Sequence, residues 1–336
     1  MSTKVPWLAT ALHEVLAQRG HATLLQGPPG LGQYDLALEL AAAWLCESRE
    51  PGAPLQAACG VCPACHAIDV RTHADLAVLM PEITQLELGW PLPEKAQQEL
   101  DDKKRKPGKD IRIESVRDVV EFCQRTDARG RGKVVLVFPA ERLNPASANA
   151  LLKTLEEPNG SVRFVLATEA AAHLLPTLRS RCQSYLMPWP ERDAALQWLQ
   201  SQNMPAEEAG QLLDLAGGRP LDALRLRQQG QGLAWWRSFA QAMKQGDASA
   251  VLDLSPPRLL EALQKLGLDL SLRQVGAPLR YFTALGLPDC SASLMTLTAW
   301  QQRLRQSVRS AEHPYHTGLM IEALVADARQ VLTSRT

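Results

Sequence analysis

Gly27-Pro28-Pro29-Gly30-Leu31-Gly32-Gln33-Tyr34 joins a short apolar run, Thr23 to Gln26, to a segment of helical periodicity, Tyr34 to Cys46. Gly27 and Gly32 stand where the two glycines of a G-x-x-x-x-G-K-[ST] loop stand. In that device backbone N–H groups wrap phosphates, a lysine reaches the outer phosphoryl oxygens, and a hydroxyl holds Mg²⁺. Here Gln33 replaces the cation and Tyr34 the hydroxyl. Glutamine carries no charge, and a tyrosine ring cannot place its oxygen where a Ser or Thr oxygen would lie. Taken alone, the stretch also reads as a Gly/Pro turn between a strand and a helix.

The neighbouring segments extend the strand-loop-helix reading. Leu76 to Met80, Val134 to Phe138 and Val162 to Thr168 are apolar and rich in β-branched residues, with helical patterns at Ser115 to Gln124 and Pro145 to Glu156 between them. Such alternation predicts a parallel sheet covered by helices. Asn144 and Pro145 form a start signal for the second of these helices, which stops before Pro158. Beyond Pro188-Trp189-Pro190 strand patterns vanish, and Glu191 to Gln202, Ala206 to Ala216, Leu221 to Gln229 and most of the remainder read as helix. Trp235, Trp236, Phe239, Leu259, Leu260, Leu263, Leu266, Tyr281, Phe282, Leu319 and Leu324 are the expected packing positions of that helical part. Asp101 to Asp110, a charged stretch with Pro107 and Gly108, is expected to be a mobile, solvated surface loop.

The strand that ends at Phe138 carries a second departure from a working ATPase. Such enzymes end this strand in an acidic residue for Mg²⁺, often followed by a carboxylate that polarises the attacking water. Phe138 and Pro139 stand there, and Glu141 lies two residues too far along. Two losses at one site predict that this chain does not hydrolyse nucleotide.

The chain's 336 residues, 46% of them hydrophobic, suffice for two or three domains. Its 36 basic and 36 acidic side chains give no net charge, which argues against an autonomous nucleic-acid binder. The N-terminus lacks a cationic region followed by an apolar one, and no apolar run is long enough for a membrane span, so a cytoplasmic protein is expected. Four of the seven cysteines cluster as Cys46-x12-Cys59-x2-Cys62-x2-Cys65. In a reducing compartment that cluster suggests metal rather than disulfides. Four thiolates complete a closed tetrahedral structural zinc site, with Gly60 and Pro63 favouring the tight path. An iron-sulfur cluster is the alternative, and His66 is an adjacent competing ligand.

Ala148-Asn-Ala-Leu-Leu-Lys-Thr-Leu-Glu-Glu-Pro158, Phe164-Val-Leu-Ala-Thr168 and Leu178-Arg-Ser-Arg-Cys182 make the sequence resemble the AAA+ clamp-loader family of bacterial DNA polymerase III. The resemblance is strongest over residues 20 to 190 and weakest past 230. It implies an AAA+ RecA-like domain over 1–188 with a zinc module at 46–65, a helical lid over 189–230 and a helical collar over 231–336. The broken phosphate loop is similar to that of the non-hydrolysing branch rather than the gamma/tau motors. Leu221 also stands where motors carry the arginine of the sensor 2 motif, although Arg219 is close by. The family's Ser-Arg-Cys motif falls on Ser180, Arg181 and Cys182, which implies that Arg181 is an arginine finger reaching a neighbouring subunit's ATP site; the alternative is that Arg181 caps the end of the preceding Leu174 to Arg179 helix or pairs with a surface carboxylate. A permanently charged guanidinium suits the finger's task, because its fork matches phosphoryl oxygens. The resemblance further implies a heteropentamer with delta and gamma/tau that loads the beta sliding clamp on primed DNA. ATPase and DNA-directed DNA polymerase (nucleotidyltransferase) activities would reside in other subunits. The rival readings are an active, gamma/tau-like AAA+ ATPase and a zinc-containing nucleic-acid-binding module.

Overall fold

A computed structural model describes residues 5–50, 52–283, 285–308, 311 and 316–334. It divides into two compact units, Met1–Trp189 and Pro190–Thr336.

The first unit is α/β. Its elements run α1 (Leu8–Leu16), β1 (Ala22–Gln26), α2 (Gln33–Leu45), α3 (Pro63–Asp69), β2 (Leu76–Leu79), α4 (Glu82–Glu87), α5 (Glu94–Asp101) and α6 (Ile113–Gln124). They continue with β3 (Lys133–Val137), α7 (Pro145–Glu156), β4 (Val162–Thr168), α8 (Pro176–Arg179) and β5 (Gln183–Leu186). All five strands are parallel, in the order β2-β3-β4-β1-β5. β3 is buried at every position and β4 at all but Arg163, as continuous apolar runs in a doubly covered sheet should be. The expected helix cap is present, with Asn144 Oδ1 accepting from the Ser147 N–H at 2.9 Å and Pro145 at the first helical position.

The order places β1 between β4 and β5, so the Gly27–Gly32 loop opens at the carboxyl end of the sheet, beside the ends of β4 and β5. In parallel sheets ligands bind at that end. β5 escapes the sequence pattern because its four residues are mostly exposed and polar. The Asp101–Asp110 stretch lies at the surface, as its composition predicts, and its turn is tied back to α4 and α5. Glu82, at the start of α4, accepts from Arg105 Nη2 at 2.9 Å and from the Gly108 N–H at 2.8 Å, while Arg105 Nε donates to Glu99 at 2.7 Å. A carboxylate far back in the chain thus holds the turn through charge-assisted hydrogen bonds.

The second unit is helical: α9 (Arg192–Ser201), α10 (Ala206–Leu215), α11 (Pro220–Gln228), α12 (Leu233–Gln245), α13 (Pro256–Gln274), α14 (Leu294–Val308) and α15 (Thr317–Thr333). Its core meets most of the expected packing positions, and Trp236 contacts Phe239 and Phe282 edge-on at 5.7 and 5.8 Å. Leu319 is the exception, 64% exposed on the outer face of α15, because its turn of the helix faces away from α12 and α13. Arg219 is committed within this unit, to Asp222 at 3.1 Å and Glu261 at 3.3 Å.

Asp269 on α13 is fully buried and accepts from three consecutive N–H groups, those of Arg280, Tyr281 and Phe282, at 3.0, 2.8 and 2.7 Å. One carboxylate therefore folds the 276–282 turn back onto its own helix. Asp269→Ala leaves those donors without their acceptor, and a loss of roughly 3 kcal/mol of stability is expected by denaturant titration. An unchanged midpoint would show that the turn is held by packing alone.

Candidate functional site: a filled phosphate loop and a cysteine cluster

Gly30 and Gly32 adopt φ of 86° and 97°, a left-handed conformation that side chains resist. Gly27 has no room for a side chain, since a Cβ there would lie 3.0 Å from Cβ of Met187. The loop thus keeps the backbone shape of a phosphate cradle, but the Gln33 side chain turns back into it. Gln33 Nε2 donates to the carbonyls of Gly27 and Pro28, both at 2.8 Å, and the residue is 2% exposed. An amide tied to the loop's own carbonyls supplies no cation to a phosphate.

Tyr34 points to the other missing group. Its ring packs against Phe138 with centroids 5.4 Å apart, so the positions where a motor puts its metal hydroxyl and metal carboxylate are joined by an aromatic contact. The Tyr34 hydroxyl accepts from the Trp90 indole N–H at 2.8 Å, and Arg71 covers the Trp90 ring at 5.0 Å while donating to the Leu88 carbonyl. Burial pushes the Tyr34 phenol up, against the opposing effect of the Trp90 hydrogen bond. Glu141 is turned away: it accepts from Thr168 Oγ1 at 2.7 Å and from the Glu169 N–H at 3.1 Å, at the end of β4. Trp90 and Arg71 were not legible as site residues. The only hint is a tryptophan between Gly89 and Pro91 in an otherwise polar segment.

α2 leads from this loop to Cys46, the first of the four clustered cysteines. The Sγ atoms of Cys46, Cys59, Cys62 and Cys65 all lie within 4.8 Å of one another, with Cys46–Cys62 and Cys59–Cys65 at 3.9 Å. Ligands about 2.3 Å from a tetrahedral ion sit roughly 3.8 Å apart, so the four thiols fit one closed single-ion site with no open position. Gly60 takes φ 73° and Pro63 opens α3, which lets the chain turn within three residues. The Cys59 sulfur accepts from Ser48 Oγ at 3.2 Å and from the N–H groups of Val61 and Cys62 at 3.5 and 3.3 Å. Those bonds, Ser48 first, draw its thiol down to about 6, while burial pushes Cys65 up. His66 is not among the converging ligands.

Arg181 stands just past α8. Its guanidinium pairs with Glu156, the last residue of α7, and donates to the Thr177 carbonyl at 2.9 Å. The motif ends Ser180-Arg181-Cys182 and Leu155-Glu156-Glu157 are thereby brought together at the surface.

Residues 8–190 match the family described as DNA polymerase III, delta subunit. The chain is 32% identical to DNA polymerase III subunit delta' of Escherichia coli K12 over 281 residues, covering 77% of this chain and 76% of that one. It belongs to the DNA polymerase III delta prime family. The delta prime protein of Pseudomonas aeruginosa is 41% identical over 216 residues, 64% of this chain. The chain spans 58% and 63% of the length of the delta prime relatives from P. aeruginosa and Haemophilus influenzae. Similarity extends to DNA polymerase III subunit tau of E. coli, 34% identical over 165 residues, 49% of this chain and 21% of that one. A gamma-subunit-related protein of Thermotoga maritima aligns over 97% of this chain and 99% of its own, at 19% identity and a TM-score of 0.45. Among the described residues no helix is long and apolar enough to cross a membrane.

Proposed function

We propose that this chain is a non-hydrolysing clamp-loader subunit that takes part in ATP hydrolysis only through a neighbour. The filled phosphate loop carries this reading: Gln33 is tied to its own loop, and Tyr34 packs on Phe138 where a metal would sit. Arg181 acts in trans as an arginine finger on a gamma/tau ATP site, and Glu156 holds its fork at the surface until a neighbour docks. Hydrolysis then depends on subunit contact, because the charge that stabilises the transferring phosphoryl group comes from a different chain. Residues 189–230 serve as the lid and 231–336 as the collar of a heteropentamer with delta and gamma/tau. That assembly loads the beta clamp on primed DNA in the cytoplasm. The cysteine cluster holds a structural Zn²⁺, through Cys46, Cys59, Cys62 and Cys65, which ties α3 to the end of α2 and leaves no coordination position for chemistry.

The purified chain alone is expected to neither turn over MgATP nor gain thermal stability from it, since a ligand that binds only the folded state raises the midpoint. Respectable turnover by the lone chain would remove the proposal and favour the motor reading.

A further inference from the structure

β2 is an edge strand. Asp75 and Leu79 turn their carbonyls to β3, where they accept from Val134 and Phe138 at 2.9 and 3.0 Å. In a parallel pair every second residue bonds to the same neighbour, so Val78 between them directs its N–H and C=O to the open side. No described residue bonds to Val78 there. Beyond it lies a groove of about 650 Å³, between β2, the 91–96 segment and the face of α6. Its floor is apolar, built from Val78, Met80, Val119 and Phe122.

The rim is acidic. Five carboxylates line the groove against three cations. Arg105 is taken up by Glu82 and Glu99, and Arg112 by Glu82. Asp110, Glu114 and Asp118 remain exposed without a cation, the last two one turn apart on α6. An open strand edge is a template for another strand, and natural proteins usually blunt such edges with charge, proline or a covering loop. Here the edge instead faces an apolar trough with an anionic wall. Phosphate would be repelled by that wall, which disfavours a nucleic-acid occupant.

We propose that the β2 edge is a docking site for an extended segment of a partner protein that alternates apolar and basic residues and adds to the sheet as a strand beyond β2. Its backbone pairs with Val78, its apolar side chains fill the floor, and its lysines or arginines meet Asp110, Glu114 and Asp118. This is strand addition, in which main-chain bonds supply affinity and alternate side chains supply specificity.

The test is fluorescence anisotropy of the full chain with a labelled ten-residue peptide alternating lysine and valine, beside its glutamate-valine counterpart and a single-stranded oligonucleotide. The basic peptide should bind and the acidic one should not. Val78→Pro removes only an outward N–H and leaves the β3 ladder intact. That variant, and separately the pair Glu114→Lys and Asp118→Lys, should each weaken binding at least about tenfold. In the unaltered chain, which removes any question of misfolding, the peptide should slow hydrogen exchange at the Val78 amide. No binding, binding indifferent to both sets of substitutions, or exchange at Val78 unchanged by bound peptide would overturn the proposal. An oligonucleotide that displaces the peptide would replace it with a nucleic-acid surface.

Discussion

Arg181→Ala should leave the chain folded and able to assemble with gamma/tau and delta, yet slow DNA-stimulated ATP hydrolysis at the site it serves by on the order of 10³-fold. The side chain is partly exposed and its partners are Glu156 and a backbone carbonyl, so its removal costs little within this chain. The loss appears only when a neighbour's phosphates need a cation. In the proposed ring the other sites keep their own partners, so total turnover should fall less than turnover at the affected site. Single-turnover measurements on the reconstituted complex resolve the difference. Arg181→Lys should rescue poorly, since an ammonium keeps the charge and loses the fork. Equal single-turnover rates in a fully assembled mutant would show that Arg181 serves only to close α7 against α8.

Loss of the metal should have the larger energetic effect, confined to one region. Structural zinc contributes folding energy outright, on the order of 10 kcal/mol in small zinc modules. Cys62→Ser, or treatment with a chelator, is expected to release the chain between Cys46 and Cys65, opening the bonds to Arg49 and the turn at Gly60 to protease. The five-stranded sheet should persist, because its core, formed by strand residues together with α6 and α7, is a cluster separate from that of the four cysteines. Limited proteolysis and elemental analysis check this together: one zinc per chain before treatment, none after, with new cleavage only near the cluster. Protein purified without chelator that holds no metal would leave the four thiols as an unmetallated packing cluster.

Legibility in the sequence followed physical locality. β3 and β4 stand out because both their faces are covered, which demands uninterrupted apolar side chains. The cysteine cluster was readable because its members lie close along the chain. The altered phosphate loop was readable as a loss, since Gln33, Tyr34 and Phe138 are conspicuous where a cation, a hydroxyl and a carboxylate belong. What replaced the lost groups was hidden: Trp90 reaches Tyr34 across 56 residues, and no periodicity encodes such a meeting. α4 and α5 were missed for a related reason. They are six and eight residues long with no fully buried position, so they carry no apolar stripe to detect. Glu82 likewise anchors Arg105 across 23 residues, a tie that the composition of the charged turn does not encode.

The Tyr34–Phe138 contact and its cap by Trp90 make the departure from motor chemistry hard to undo. A lysine at position 33 would stand where Gln33 now bonds the Gly27 and Pro28 carbonyls, with Tyr34 and Phe138 in place of the groups that would hold a metal. Reinstating a carboxylate at 138 would bury an anion beside tyrosine and tryptophan with no counter-ion. Any one of these substitutions alone leaves the other two positions without the groups a phosphate and its metal need. The trio therefore acts as a ratchet: single substitutions can vary the filling, while a self-sufficient motor site would need changes at 33, 34 and 138 together.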